Sequence, residues 1–142
     1  MKSYLFLFIF VFLSCSKNDT VFEPQTEFEP QTETDILKYI EDNNLNATKS
    51  SSGLYYVINN EGTGIRPTSN SNVTVAYKGY FLDGNVFDQS NAAGISFGLN
   101  QVIKGWTEGL QLMETGAKYK FFIPEELAYG ANPPQGGQGP IK

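Results

Sequence analysis

The feature that most restricts the fold lies at residues 102–113, where Ile103, Trp106, Leu110 and Met113 recur at the 3-4-3 spacing of one amphipathic helix face. Gly105 and Gly109 stand inside that same run. Each glycine costs about 1 kcal/mol in a helix interior, so two of them one turn apart make sense where the helix backbone must lie close against a sheet. The spacing predicts a short helix over residues 102–113, packed against strands.

The flanking segments supply strands. Residues 54–58 (Leu-Tyr-Tyr-Val-Ile) are rich in strand formers and stop at Asn59-Asn60. Residues 73–82 predict one longer strand, with Val73, Val75 and Tyr77 on one face and Thr74, Ala76, Lys78 and Tyr80 on the other. Asp83-Gly84 predicts a tight hairpin turn that tolerates positive φ at both positions, leading into a partner strand over residues 85–88. Residues 117–123 predict a last strand, with Tyr119, Phe121 and Ile123 inward, Lys118 and Lys120 outward, and Pro124 as its stop. Upstream, residues 35–44 read as a helix capped by Thr34 or Asp35 that packs on the domain edge, its face built from Ile36, Tyr39 and Ile40. The order defines an α+β fold, an antiparallel sheet wrapped around one short helix. A chain of 142 residues accommodates one such domain with appendages.

Composition excludes several chemistries. The chain has no histidine and its one cysteine is Cys15, so neither a Cys/His zinc site nor a Ser/His or Cys/His nucleophile can be assembled. The net charge of -5 is uneven: residues 16–35 hold six acids (Asp19, Glu23, Glu27, Glu29, Glu33, Asp35) against Lys17. The remaining residues carry nine charges of each sign, without the clustered basic face that nucleic acid requires.

The first residues read as an export signal. Lys2 precedes an apolar run at residues 4–13, too short for a bilayer span of about 20 residues. Phe12-Leu13-Ser14-Cys15 resembles the lipobox of bacterial lipoproteins, which implies removal of residues 1–14 and acylation of Cys15. Two or three acyl chains anchor a protein stably where one does not, and a lipidated Cys15 leaves no thiol for a disulfide. Behind it the hexapeptide Phe-Glu-Pro-Gln-Thr-Glu occurs twice in tandem, at residues 22–27 and 28–33. That composition is too poor in aliphatic groups to offset ordering entropy, so residues 15–34 are expected to form an acidic, self-repelling tether. Residues 35–51 then form the short helix and a linker, and residues 52–142 the main domain.

Four stretches in order carry a family resemblance: Val-Ala-Tyr-Lys-Gly-Tyr (75–80), Asp-Gly-Asn-Val-Phe-Asp (83–88), Val-Ile-Lys-Gly-Trp-Thr-Glu-Gly-Leu (102–110) and Leu-Ala-Tyr-Gly (127–130). Together they resemble the FKBP type of peptidyl-prolyl cis/trans isomerase, the macrolide-binding family. The resemblance implies a proline pocket formed by Tyr77, Phe87, Asp88, Phe97, Val102, Ile103, Trp106 and Tyr129. Trp106 is expected as its floor and Tyr77, Phe87 and Phe97 as its walls, with the Ile103 N–H and the Tyr129 hydroxyl holding substrate carbonyls. Asp88 either orients Tyr77, meets polarity on the turning amide, or caps a turn.

The implied activity is proline isomerisation during folding of exported proteins, from a lipid-anchored position in a bacterial cell envelope. A pocket of this kind needs no nucleophile, metal or cofactor. The implied partners are proline-containing polypeptides, the membrane through the anchor, and macrolide inhibitors, with no nucleic acid. A rival reading keeps the fold as a chaperone or binding subunit of an envelope complex with little turnover. Two departures from the family stand out. Ile95 occupies a place where many members carry an aromatic, and after residues 136–141 the family continues into a final strand, so this chain is expected to be C-terminally incomplete.

Overall fold

A computed structural model describes residues 32–130 of the chain. The signal-like run, Cys15, nearly all of the tether and the loop at residues 131–142 lie outside the described residues. The elements in order are α1 (Glu33–Asp42), β1 (Thr48–Lys49), β2 (Tyr55–Asn60), β3 (Asn72–Val75), β4 (Lys78–Tyr80), β5 (Val86–Gln89), β6 (Ile95–Gly98), a 3-10 turn (Leu99–Gln101), α2 (Lys104–Gln111), β7 (Lys118–Phe122) and a second 3-10 turn (Glu125–Leu127). All strand pairings are antiparallel, and they fall into three ladders, β1-β2-β7, β3-β6 and β4-β5, rather than one.

The glycines of α2 meet the expectation drawn from their spacing. A Cβ on Gly105 would stand 2.6 Å from Ile123 Cγ2, and one on Gly109 would stand 2.8 Å from the Phe121 ring. The helix therefore lies on β7 at a distance only glycine allows. Its other side meets Tyr77 and Phe97, so elements of separate ladders curve around α2. α2 is shorter than the periodicity suggests. Val102 and Ile103 are extended residues that lead into it, and Leu112 closes it.

The opposite face of the β2-β7 pair is covered by a second helix. Tyr55 pairs with Phe122, and these two pack with Ile36 of α1 into a buried cluster, flanked by Tyr39, Ile40, Leu45, Val57 and Leu82. Alternation along β7 sends Phe121 to α2 and Phe122 to α1. The expected outward face of this strand is thus a second core face, and α1 packs across it. Burying Ile36, 2% exposed, contributes about 1.5–3 kcal/mol.

α1 also begins earlier than Thr34 or Asp35 suggest. Thr32 is its N-cap and Asp35 its N3 residue: the Thr32 hydroxyl accepts from Asp35 N–H, and the Asp35 carboxylate accepts from the Thr32 backbone. This reciprocal pair is a capping box. The last two residues of the second hexapeptide therefore belong to the folded domain, not to the tether.

The strand expected over residues 73–82 is two strands. β3 pairs with β6, β4 pairs with β5, and Ala76 and Tyr77 lie between the ladders. In the hairpin, Phe81 N–H donates to Asn85 O and Gly84 N–H to Phe81 O, giving a three-residue connection, Leu82-Asp83-Gly84. Of these only Gly84 has positive φ, at 91°, so Asp83 does not use the left-handed conformation that an Asp-Gly turn tolerates there.

Candidate active site

Tyr77 occupies the gap between the β3-β6 and β4-β5 ladders, where its backbone is satisfied by Ser90. Ser90 Oγ accepts from Tyr77 N–H at 3.0 Å, and Ser90 N–H donates to Tyr77 O at 3.0 Å. This clamp frees the Tyr77 side chain from ladder geometry. The ring meets Trp106 edge-on, with centroids 4.9 Å apart and planes at 82°, an arrangement that aims a positive ring edge at a π face. Phe97, from β6, packs on the same indole at 5.3 Å. Strand, inter-ladder link and helix thus converge on Trp106.

Asp88 enters from β5. Tyr77 Oη donates a 2.5 Å hydrogen bond to Asp88 Oδ2. Burial, this bond and the Asp88 charge push the Tyr77 phenol up to about 12. The negative charge of an ionised Tyr129 would add to that shift. Tyr129 is itself raised, first by burial and then by Asp88. Asp88, Tyr77 and Tyr129 therefore share one electrostatic neighbourhood, in which both phenols stay protonated donors at neutral pH.

Phe87 reaches its position through a β-bulge. Gly79 pairs with Asp88 and Tyr80 with Val86, which leaves Phe87 as the extra residue. Bulges re-aim side chains beside sites. The Phe87 ring lies so close over Gly79 that a Cβ there would stand 2.6 Å from its Cζ, and it packs on Phe81 with centroids 4.9 Å apart. Phe87 thus adjoins the cluster through Asp88, and its ring partner is Phe81 rather than the indole.

Val102 and Ile103 form the extended step between the first 3-10 turn and α2. Thr107 Oγ1 fixes this step by donating to Leu99 O at 2.6 Å. Ile103 O accepts from Trp106 and Thr107, while among the described residues its N–H makes no hydrogen bond. Tyr129 follows the second 3-10 turn and is 37% exposed, with no hydrogen bond from its hydroxyl among the described residues. Among the described residues these two donors have no protein partner to give up before meeting a carbonyl.

Three contributors escaped the sequence reading. Ser90 positions Tyr77, Gly79 makes room for Phe87, and Phe81 backs that ring. The Asp-x-Ser spacing of Asp88 and Ser90, two residues apart and so on one face of an extended segment, was the available signal for the first.

An α+β domain whose antiparallel ladders enclose a glycine-bearing helix, with two aromatic rings converging on one indole and a phenol-carboxylate pair beside it, defines the class. The sequence model of the family described as FKBP-type peptidyl-prolyl cis-trans isomerase matches residues 64–142. The chain belongs to that family. It is 51% identical over 83 residues to the FKBP-type peptidyl-prolyl cis-trans isomerase FkpA of Aeromonas hydrophila, an alignment covering 57% of this chain and 31% of that protein. It is 48% identical over 92 residues to the outer membrane protein MIP of Legionella longbeachae, covering 63% and 38% respectively. The crystal structure of FkpA from Escherichia coli superposes with a TM-score of 0.63 at 40% identity, over 70% of this chain and 49% of that one. The chain thus spans about a third of the length of these curated relatives.

Proposed function

We propose that this chain is a peptidyl-prolyl cis/trans isomerase whose proline site is the ring cluster of Tyr77, Phe97 and Trp106. The observation that carries the reading is the edge-on Tyr77–Trp106 contact coupled to the Tyr77–Asp88 hydrogen bond, in a chain of the FKBP-type family. Resonance holds the bond before proline planar, with a rotation barrier of about 18–20 kcal/mol. Twisting removes that resonance and makes the amide less dipolar, so a water-poor aromatic surface binds the twisted form better than the planar one. That difference is what lowers the barrier.

In this reading Trp106 supports the pyrrolidine ring from below, and Tyr77 and Phe97 enclose it. Phe87 closes the site on the β5 side, and Val102 contributes apolar surface at the start of the extended step. The Ile103 N–H and the Tyr129 hydroxyl hold carbonyls flanking the imide, so that rotation is confined to one bond. Asp88 orients Tyr77 rather than capping a turn. A prolyl peptide isomerisation assay tests the assignment: Trp106→Ala and Phe97→Ala are expected to lower kcat/KM about tenfold or more. Unchanged rates in both folded variants sink it.

The finer setting belongs to the same proposal. The lipobox-like Phe12-Leu13-Ser14-Cys15 supports a diacylated Cys15, an envelope location, and a role in the folding of exported proteins. The acidic tether is the spacer that lets the domain reach them. A Cys15→Ser chain that still partitions with membranes after export contradicts the anchor.

A further inference from the structure

The β4-β5 hairpin carries Phe87 and Asp88, yet among the described residues its two strands ladder only with each other. A two-stranded hairpin by itself is marginally stable in water. The bulge at Phe87 weakens it further by taking one residue out of the pairing. The Tyr77–Ser90 hydrogen bonds hold the open end beside Asp88, and further support for the hairpin must come from side chains of other elements.

At the closed end of the hairpin, that support comes in part from residues outside the matched family segment. Leu82, first residue of the connection, packs against the buried cluster of Ile36, Tyr55 and Phe122. Ile36 belongs to α1, whose first residue is tied to the sheet. Glu33 Oε1 accepts from Tyr55 Oη at 2.6 Å and from Lys49 Nζ at 2.6 Å, and the same ammonium sits 5.5 Å from the Tyr55 ring centroid. Along the hairpin, Lys120 of β7 lies 5.9 Å from the Tyr80 ring centroid. Leu82 of the connection thus rests on the cluster that the N-terminal helix shares with the sheet.

We infer that Leu82 and Ile36 are positioning residues for the proline site: α1 clamps the β4-β5 connection, and that clamp sets where Asp88 meets Tyr77. The inference rests on the reading of the site given above, but the geometry it concerns can be measured without any turnover. The mechanism is leverage. Asp88 lies on the strand that returns from the clamped connection, so a shift of Leu82 into solvent lets β5 slide on β4 and lengthens the Tyr77–Asp88 contact.

The test uses the full chain carrying Leu82→Ala or Ile36→Val, with amide hydrogen exchange and the Tyr77 titration followed by NMR. In Leu82→Ala the amides of residues 78–80 and 86–89 are expected to exchange about tenfold faster, while those of β3 and β6 hold. The Tyr77 phenol is expected to titrate below its wild-type value of about 12. Ile36→Val, which removes a single methylene, gives the same pattern at smaller amplitude and carries the test should Leu82→Ala fail to fold. Equal acceleration in all three ladders means α1 contributes only global stability and overturns the inference. So does an unmoved Tyr77 titration. A wild-type chain without isomerase activity, but with the expected exchange pattern, removes the functional reading and leaves the clamp standing.

Discussion

Tyr77 donates a hydroxyl hydrogen bond to Asp88 across 2.5 Å, from the link between two ladders to a strand of one of them. Asp88→Asn keeps the shape and removes the charge. The Tyr77 phenol, raised from 10.0 to about 12 by burial first and by Asp88 second, is then expected to titrate lower but still above 10.0. The linkage follows in sign. A raised phenol pKa means the fold favours the protonated form, so that stability is complete below pH 10.0 and is lost as pH climbs toward about 12. Denaturant unfolding between pH 9 and 12, roughly the span of these values, is expected to show a steeper loss in wild type than in Asp88→Asn. Tyr55 and Tyr129, also raised, keep a residual slope in the variant. Equal slopes contradict the coupling.

Gly105 and Gly109 give a prediction whose sign opposes helix propensity. On an exposed helix, glycine to alanine stabilises by about 1 kcal/mol. Here the new Cβ would lie 2.6 Å from Ile123 Cγ2 or 2.8 Å from the Phe121 ring, inside the packed contact of α2 with β7. Gly109→Ala and Gly105→Ala are each expected to destabilise by about 1–3 kcal/mol in urea unfolding. A stabilising outcome at either position means that α2 does not rest on β7.

That contact was readable because propensity and pattern disagreed at particular residues, and the disagreement had one physical resolution. Tyr77, Phe97 and Trp106 were readable as a set through the family motifs, and the structure brings them into ring contact. The break at Ala76 and Tyr77 was not readable, because burial continues to alternate through it, half-buried Val73, Val75 and Tyr77 against exposed Thr74, Ala76 and Lys78. Periodicity reports which face a residue takes, not which strand it pairs with. Phe122 was assigned to no face for a related reason: lysines at 118 and 120 mark a solvated face only if no other element covers it, and α1 does. Short pairings such as β1, two residues long, and β6, with Ile95-Ser96-Phe97-Gly98, carry too few residues for a pattern to register.

The start of α1 is the case where a repeat hid a cap. Thr32-Glu33 closes the second hexapeptide, and its likeness to Thr26-Glu27 places it with the tether, yet Thr32 and Asp35 form the capping box and Glu33 receives both Tyr55 and Lys49. Hydrogen bonds from Thr32 hold the Asp35 carboxyl below its ordinary 3.8. A depressed carboxyl stabilises the fold above its ordinary value and loses that contribution as pH falls through the lowered one. Thr32→Ala leaves the orphan N–H groups of the first turn to water and is expected to lower Tm by about 4 °C at neutral pH. The difference between wild type and variant is expected to shrink as pH falls through the lowered value, below which Asp35 is protonated in both. Thermal melts at a series of pH values check both parts. An unchanged neutral Tm in Thr32→Ala means that the capping box adds nothing to the stability of the domain.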